Sequence, residues 1–469
     1  MDIEDLDWQA AYRAGITPLM VEALLARGQS ELLVRAARER GEWFCAQAAV
    51  RELCAAGQAE QAWEVVRPFA ETGWRRAVVL GADALVRSGR IEEALALVHP
   101  DAARREPGRP ADEVRGWGAD LKALEPYGEF AAVLAAAGRV DEAIDVLEPY
   151  TREGQLLWEL VDVTEGRGRD ERVLELLDPH AERVLKARVL ERSGRAGEAI
   201  ELFAADVAAK RCCSHNALEF YAGLLARHGR VEELRALAGR DAGVFLAPFV
   251  TLLEELGRAS EAEAVLRAGA AAADGTDPGD GSGSDTDPHS RHRSGLMRLL
   301  ARQGRLDEAV AAARPTFGNL YGCGNLLEPA IRLLFDHGRP EWALELLDGC
   351  SEELTREDPA WVRSNRWWLM GECGRAREAI AEIDALPAED AEEREDTTIA
   401  FLLERDGRAE QAVELLRGSA EYGAPHDLAH LLIRLGRPAE AVDGYPSLAA
   451  QREAEDRRWN RRREEPAAG

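Results

Sequence analysis

The strongest constraint on the fold is a short phrase that recurs along the chain. The copy at residues 138–150 reads GRVDEAIDVLEPY, and eleven further copies share its glycine, with arginine next in eleven of the twelve. Nine of the eleven gaps between successive glycines measure 26 to 36 residues, which is the period of a two-helix unit. A weaker copy at Gly28 precedes them. The turn glycines are Gly57, Gly89, Gly138, Gly168, Gly194, Gly229, Gly257, Gly304, Gly338, Gly374, Gly407 and Gly436.

Each position of the phrase predicts one part of a helical hairpin. Leucine stands four residues before the glycine in ten of the twelve copies, and we expect it to be the last core contact of a first helix. A glycine just past the helix end permits a positive φ. The arginine suits the carboxyl end of that helix, and the acids that follow suit the amino end of the next one, because of the helix dipole. Alanine five residues after the glycine, in ten of twelve copies, lets two helices approach closely.

A single hairpin of this kind cannot bury its apolar stripe, whereas a stack of hairpins can. In the quoted copy that stripe has helical spacing and consists of Val140, Ala143, Ile144 and Leu147. The pattern L-x-x-x-G-R-x-x-E-A, over roughly residues 16–450, resembles the tetratricopeptide-repeat family. The resemblance implies an all-α fold, a right-handed α-solenoid of about 12–13 antiparallel helix-pair repeats. The tyrosine that the family carries four residues before the glycine is leucine here.

Two long gaps between glycines predict how the solenoid is divided. Residues 101–118 form a charged insertion, either a loop excursion or a degenerate half-repeat. Residues 270–294 are rich in Gly, Ser and Asp and predict a flexible acidic linker; the aspartates miss the spacing of a calcium loop. We therefore expect an amino-terminal solenoid over 1–269, a carboxyl-terminal solenoid over 295–450, and a charged tail over 451–469.

The charge balance disfavours two classes of partner. The formal charge is −27 and the pI is near 4.9, which repels nucleic-acid phosphates and anionic membranes and favours basic partners. The seven cysteines form no C-x-x-C pair, so neither a disulfide framework nor a zinc cage is indicated. The amino terminus is acidic where a signal peptide is basic and apolar. These features predict a cytoplasmic protein.

The sequence carries no motif that specifies catalysis. It contains no Walker loop, nucleophile elbow, dinucleotide-binding turn or H-E-x-x-H helix. His426 and His430 are spaced for one helical face, but they fit helix-surface histidines better than a metal site. The Cys212–Cys213 pair lacks a second redox motif. We predict a protein that is not an enzyme and that holds neither a cofactor nor a metal.

The resemblance implies a concave face lined by residues 13, 10, 6, 3 and 2 before each turn glycine. On this chain those positions mix arginine, asparagine and aromatic residues in the carboxyl half, which suits an acidic peptide segment. For Trp361 and Trp368 the alternative is packing between helices. The predicted partner-binding residues are Arg298, Arg302, Asn325, Arg332, Trp361, Trp368, Arg394, Phe401 and His430.

The predicted function is a non-catalytic protein–protein interaction module or adaptor that binds a partner protein or peptide segment. One alternative is a structural subunit of a larger assembly. Another is a regulator that contacts nucleic acid through the tail, where residues 457–463 hold five arginines around Trp459. Against that, the whole tail has six arginines and five acids, so its net charge is small and a solvent-exposed terminal helix is favoured.

Overall fold

The protein is an array of antiparallel α-helix pairs, as the repeat predicts. The computed structural model describes residues 2–100, 117–152, 154–180, 182–208, 214–272, 288–317, 325–350, 356–387, 390 and 393–464. These residues hold 28 α-helices and no β-strand. Helices α2 to α27 form thirteen pairs, one around each turn glycine from Gly28 to Gly436, with α1 and α28 at the two ends.

The first six pairs and the helix before them cover residues 3–208. They are α1 (Ile3–Tyr12), α2 (Pro18–Leu25), α3 (Ser30–Arg40), α4 (Trp43–Ala55), α5 (Ala59–Ala70), α6 (Arg75–Arg87), α7 (Ile91–Val98), α8 (Trp117–Ala136), α9 (Val140–Thr151), α10 (Leu157–Val163), α11 (Asp170–Leu177), α12 (Arg183–Arg192) and α13 (Ala196–Ala208).

The remaining seven pairs and the final helix cover residues 215–464. They are α14 (His215–Arg227), α15 (Val231–Ala238), α16 (Ala242–Glu255), α17 (Ala259–Ala272), α18 (Pro288–Arg302), α19 (Leu306–Ala313), α20 (Leu327–Asp336), α21 (Pro340–Asp348), α22 (Pro359–Glu372), α23 (Ala376–Asp384), α24 (Asp396–Arg405), α25 (Ala409–Gly418), α26 (Ala424–Arg434), α27 (Pro438–Gly444) and α28 (Leu448–Glu464).

The turn between the two helices of a pair has one geometry throughout. All thirteen turn glycines adopt φ between 64° and 82°, the region where a side chain is disfavoured. In twelve turns the residue after the glycine donates its backbone N–H to the carbonyl of the residue four positions before the glycine, at 2.7–3.0 Å. This bond closes the first helix. At the Gly168 turn that position is Thr164, whose hydroxyl donates to the Leu160 carbonyl at 2.7 Å.

The two apolar marker positions of the phrase are in the core. The residue four before the glycine is buried in eleven of the twelve copies, the exception being Leu53, which is half-buried. The residue five after it is at most 1% exposed in all twelve, whether alanine, Val173 or Leu234. Both positions thus lie in the core, as the repeat predicts.

The arginine after the glycine forms ion pairs, in addition to its favourable place at the carboxyl end of a helix. In its own hairpin Arg139 bonds to Glu142 at 2.6 Å, and it reaches back to Glu92 of the preceding hairpin at 3.4 Å. The helix-start acids are therefore ion-pair partners within and between repeats. Exposed pairs of this kind are individually weak because water screens them, but here they recur along the array. Other arginines that bridge two hairpins in this way include Arg90, Arg195 and Arg305.

The two interruptions fall largely outside the described residues. Of the insertion at 101–118, only the start of α8 at Trp117 is described. The predicted linker is helical at its edges, because α17 continues to Ala272 and α18 begins at Pro288; residues 273–287 lie outside the described residues. No helix in the described part of the chain is long and apolar enough to span a bilayer.

The helices group into two compact units. Unit 1 comprises Met1–Ala199 together with Ser419–Gly469, and unit 2 comprises Ile200–Gly418. Unit 1 therefore contains both ends of the chain. The division at the acidic linker that the sequence suggests stays a prediction.

The turn geometry yields a matched pair of substitutions in one hairpin. Gly194 has φ of +82°, whereas Gly197 lies in α13 with no atom within 4 Å of the place a Cβ would occupy. We expect Gly194→Ala to lower the free energy of unfolding by about 1–2 kcal/mol, the cost of a side chain in the left-handed region. Gly197→Ala, the control, is expected to raise it by about 0.5–1 kcal/mol. Denaturant unfolding followed by circular dichroism measures both; equal effects would contradict the turn geometry.

Candidate partner-binding surface

Eight of the nine predicted binding residues lie in unit 2, on or beside the first helices of four successive pairs. The position six residues before the turn glycine holds Arg298 in α18, Arg332 in α20, Trp368 in α22 and Phe401 in α24. The two arginines are exposed and the two aromatic residues are half-buried. The residues one position earlier are all buried, at 2–3% exposure: Met297, Ile331, Trp367 and Ala400. Arg298, Arg332, Trp368 and Phe401, together with Phe335, are called the first-helix face of unit 2.

Aromatic contacts join three of the helices that carry this face. The rings of Phe335 and Trp368 lie 4.7 Å apart between α20 and α22. Phe401 of α24 packs over Gly371 of α22, where a Cβ would come within 2.8 Å of the ring. Glycine at this position therefore lets the Phe401 ring settle against the neighbouring helix. The guanidinium of Arg405 lies 5.2 Å from the centre of the Phe401 ring, which is within cation–π distance.

The arginines of the prediction differ in how far they are already bonded. Arg298 has no hydrogen bond or ion pair within the described part of the chain. Arg332 reaches only Asp336, one turn along its own helix, at 3.5 Å. Arg302 is held by Glu254 of α16 at 2.5 Å, and Arg394 by Asp384 at 2.8 Å. Arg298 and Arg332 are thus the more available cations.

Asn325 and Trp361 have local structural contacts. The Asn325 side-chain oxygen accepts the Leu327 backbone N–H at 2.7 Å, beside the start of α20. At the start of α22, Asp358 accepts the Trp361 backbone N–H at 2.9 Å. The Trp361 side chain itself is half-buried. Asn325 thus helps to begin α20, whereas the contact at Trp361 involves only its backbone.

Helix α22 carries two arginines at positions that the repeat assigns to the core. The repeat register puts Arg363 and Arg366 at core positions, and both are half-buried in ion pairs. Arg363 bonds to Glu393 at 2.7 Å, and Arg366 bonds to Asp348 at 2.8 Å. The core tryptophan is Trp367, whose indole N–H donates to Glu382 at 3.3 Å. Sequence reasoning missed Trp367, although its position seven before the glycine is apolar in the neighbouring copies.

His430 lies in unit 1, apart from the other eight residues. Its ring is 4.4 Å from that of His426, and its Nε2 is buried without a hydrogen-bond partner. Burial, assisted by His426 and Arg434, lowers the pKa of His430 to about 4. Within the described residues no three metal-ligating side chains group together. The structure therefore gives this histidine a packed environment on α26.

The arginine-rich tail begins as an ordered helix. Within α28, Arg457 lies 3.9 Å from Glu453 and Arg458 lies 3.9 Å from Glu455. Arg458 also lies 4.7 Å from the Tyr422 ring centre. The Trp459 side chain lies outside the described part of the tail. These arginines face acids and an aromatic ring of their own chain.

The packing of Phe401 on Gly371 gives a direct prediction. In Gly371→Ala the new methyl group would collide with Phe401 and would lie 3.0 Å from Leu402. We expect a loss of about 1–3 kcal/mol in the free energy of unfolding, as for an overpacked core. Gly418→Ala is the control, since nothing lies within 4 Å of its Cβ position. Denaturant unfolding compares the two; an unchanged Gly371→Ala protein would contradict the described contact.

The half-buried imidazole of His430 gives unit 1 a pH dependence. Its folded-state pKa of about 4 lies below the ordinary value of 6.5. The unfolded chain therefore binds a proton first, and the stability is complete above pH 6.5 and is lost as pH falls toward 4. We expect the wild type to lose on the order of 1 kcal/mol more than His430→Gln between pH 7 and pH 4, after allowance for solvent screening.

Urea unfolding at several pH values tests this difference, with His337→Gln as the control because His337 is an exposed histidine in unit 2. Parallel pH profiles for the wild type and His430→Gln would contradict the assignment.

Comparisons with known proteins find structural neighbours but no family for this chain. No family model matches the chain, and no curated protein matches it. Solved structures of similar fold include the pentatricopeptide repeat protein PPR10 in complex with an 18-nt psaJ RNA element, at 16% identity and a TM-score of 0.33, over 94% of this chain and 75% of that chain.

Two multiprotein assemblies are also similar. Naa15/Naa10 bound to HypK-THB has 15% identity and a TM-score of 0.34, over 84% of this chain and 66% of that chain. The APC/C hetero-tetramer Cut9-Hcn1 has 12% identity and a TM-score of 0.22, over 93% and 95%. The helical-repeat architecture of this chain is shown by its own helix pairs.

Proposed function

We propose that this chain is a non-catalytic interaction scaffold that binds a segment of another protein on the first-helix face of unit 2. The observation that carries the proposal is the pair of contacting, incompletely buried rings of Phe335 and Trp368. The position that Trp368 occupies on α22 holds an exposed arginine on the two preceding first helices: Arg332 on α20 and Arg298 on α18. Aromatic and arginine side chains supply much of the binding energy at protein interfaces.

The charges of the face select the chemistry of the segment. Arg298 is unpaired within the described residues, and Arg332 has one long contact to an exposed acid. A carboxylate that bonds to an unpaired arginine displaces no existing ion pair, and charge-assisted hydrogen bonds are stronger than neutral ones. The proposed ligand is therefore an extended acidic segment with one bulky apolar side chain, which would rest against the Phe335–Trp368 pair.

The setting of this face in an acidic protein favours specificity. A net charge of −27 repels polyanions at long range, and salt screens that repulsion beyond about 8–10 Å. A short acidic segment that carries an apolar anchor can gain contact energy locally, whereas a long polyanion meets the whole field. A cytoplasmic protein partner, rather than nucleic acid, is part of the proposal.

A pair of double variants tests the proposal. Arg298→Ala/Trp368→Ala removes one cation and one ring from the first-helix face of unit 2. Arg51→Ala/Trp158→Ala, the matched control, removes an exposed arginine and a half-exposed tryptophan from first helices of unit 1. Arg51 also stands six residues before its turn glycine. Each tagged chain is purified from its native cell extract, and co-purifying proteins are quantified by mass spectrometry.

We expect one stoichiometric protein to fall at least tenfold with the unit 2 variant and to be retained by the control. The physical reason is that loss of an interface tryptophan or arginine costs about 2 kcal/mol or more in binding. Circular dichroism should show both variants as helical as the wild type. Retention of every partner by the unit 2 variant would contradict the proposal, and so would equal loss from both variants.

A further inference from the structure

The two ends of the chain pack on each other within unit 1. Helix α2 of the first pair contacts α26 of the last pair, and α3 contacts α27. First helix thus meets first helix, and second meets second. Consecutive pairs show the same arrangement, because α2 contacts α4 and α3 contacts α5. The last pair therefore occupies the place that a preceding repeat would take beside the first.

Arg40, at the end of α3, binds the carboxyl end of α27. Its guanidinium donates to the carbonyls of Val442 at 2.8 Å, Tyr445 at 2.9 Å and Pro446 at 3.2 Å. The carbonyls at a helix end lack intrahelical partners and carry the negative end of the dipole. Arg40 supplies both the missing donors and a positive charge.

Glu42 forms an ion pair with Arg40 and helps to position its guanidinium. The carboxylate is 1% exposed, lies 3.2 Å from the Arg40 Nε and accepts the Ile16 backbone N–H at 2.8 Å. The same carboxylate occupies the space beside Gly15, where a Cβ would come within 2.2 Å of it. The segment before α2, the end of α3 and the end of α27 are thus joined through one buried ion pair.

Helix α28 extends the contact to the first helix of the chain. Gln451 accepts the Gly15 backbone N–H at 2.9 Å. Arg452 donates to the Glu4 carbonyl at 3.1 Å, lies 3.1 Å from Asp5 and covers the Trp8 ring at 5.1 Å. These bonds join α28 to α1 and to the loop that precedes α2.

We propose that residues 424–452 form an intramolecular latch on the first repeat, with Arg40 as its central contact. Arrays of repeats need their terminal apolar faces covered, and here each end covers the other. The latch makes unit 1 a single closed body although its parts are distant in sequence. It also means that residues after 423 stabilise the first helices, which a linear array would not predict.

Cross-linking tests whether the contact forms within one chain. Arg35 and Asp443 form an ion pair at 2.7 Å across the junction, and Arg35→Cys/Asp443→Cys is treated with a short bismaleimide. Peptide mapping separates this link from links to native cysteines. The control is Arg35→Cys/Glu175→Cys. Glu175 lies on α11, in the fifth pair of the array, where no link to residue 35 is expected. A 35–443 link within a monomer supports the latch; a link only between two chains, or no link, overturns it.

Hydrogen exchange tests the role of Arg40 in the full-length chain. In Arg40→Ala we expect amides of α2, α3, α26 and α27 to exchange at least tenfold faster, while those of α20 to α22 keep their rates. Arg38→Ala is the control, because Arg38 is exposed on the same helix and has no partner within the described residues. Equal exchange in both variants would overturn the role of Arg40, and the cross-link still tests the latch if Arg40→Ala fails to fold.

Discussion

The hydrogen bond that closes twelve of the thirteen first helices is the contact on which the array depends. It runs from the backbone N–H after the turn glycine to the carbonyl of a residue that is buried in nearly every copy. One residue therefore fixes the helix end and fills the core at the same time. The positive φ of the glycine then aims the second helix back along the first. The residue five positions after the glycine, alanine in ten of twelve copies, is buried where the second helix begins.

The acidity of the chain follows partly from how the hairpins are joined. Arginines after the turn glycine bond to acids in their own hairpin and in the preceding one, as Arg305 does with Glu308 and Glu263. Bonds from Arg305 and Arg267 lower the pKa of Glu263 to about 2. Acids of this kind support stacking. Arg298, in contrast, has no such acid partner within the described residues.

Local features of the fold could be predicted from the sequence, because their causes lie within a few residues. The turn at Gly138 needs only Leu134 and Arg139 to be understood, and the structure has this turn as predicted. Trp367 was missed because two adjacent tryptophans share one helix, and only the repeat register tells the core one from its neighbour. The partner of Arg366 depends on how α22 meets α21 and α23, which no local pattern specifies.

The contact between the chain ends could not be predicted from the sequence. Arg40 and Val442 are 402 residues apart, and neither belongs to a motif. The prediction of an exposed terminal helix failed for the start of α28, because Gln451 and Arg452 bond to the first residues of the chain. No local pattern can predict a contact between residues this far apart in sequence.

Peptide selection tests the central claim most directly. A random peptide library is displayed against the purified wild-type chain, and the selected peptides are measured by calorimetry on the wild type and on Arg298→Ala/Trp368→Ala. The account predicts peptides that combine acidic residues with one bulky apolar residue, and at least tenfold weaker binding to the variant. Selected peptides without acidic residues, or with equal affinity for both proteins, would contradict it.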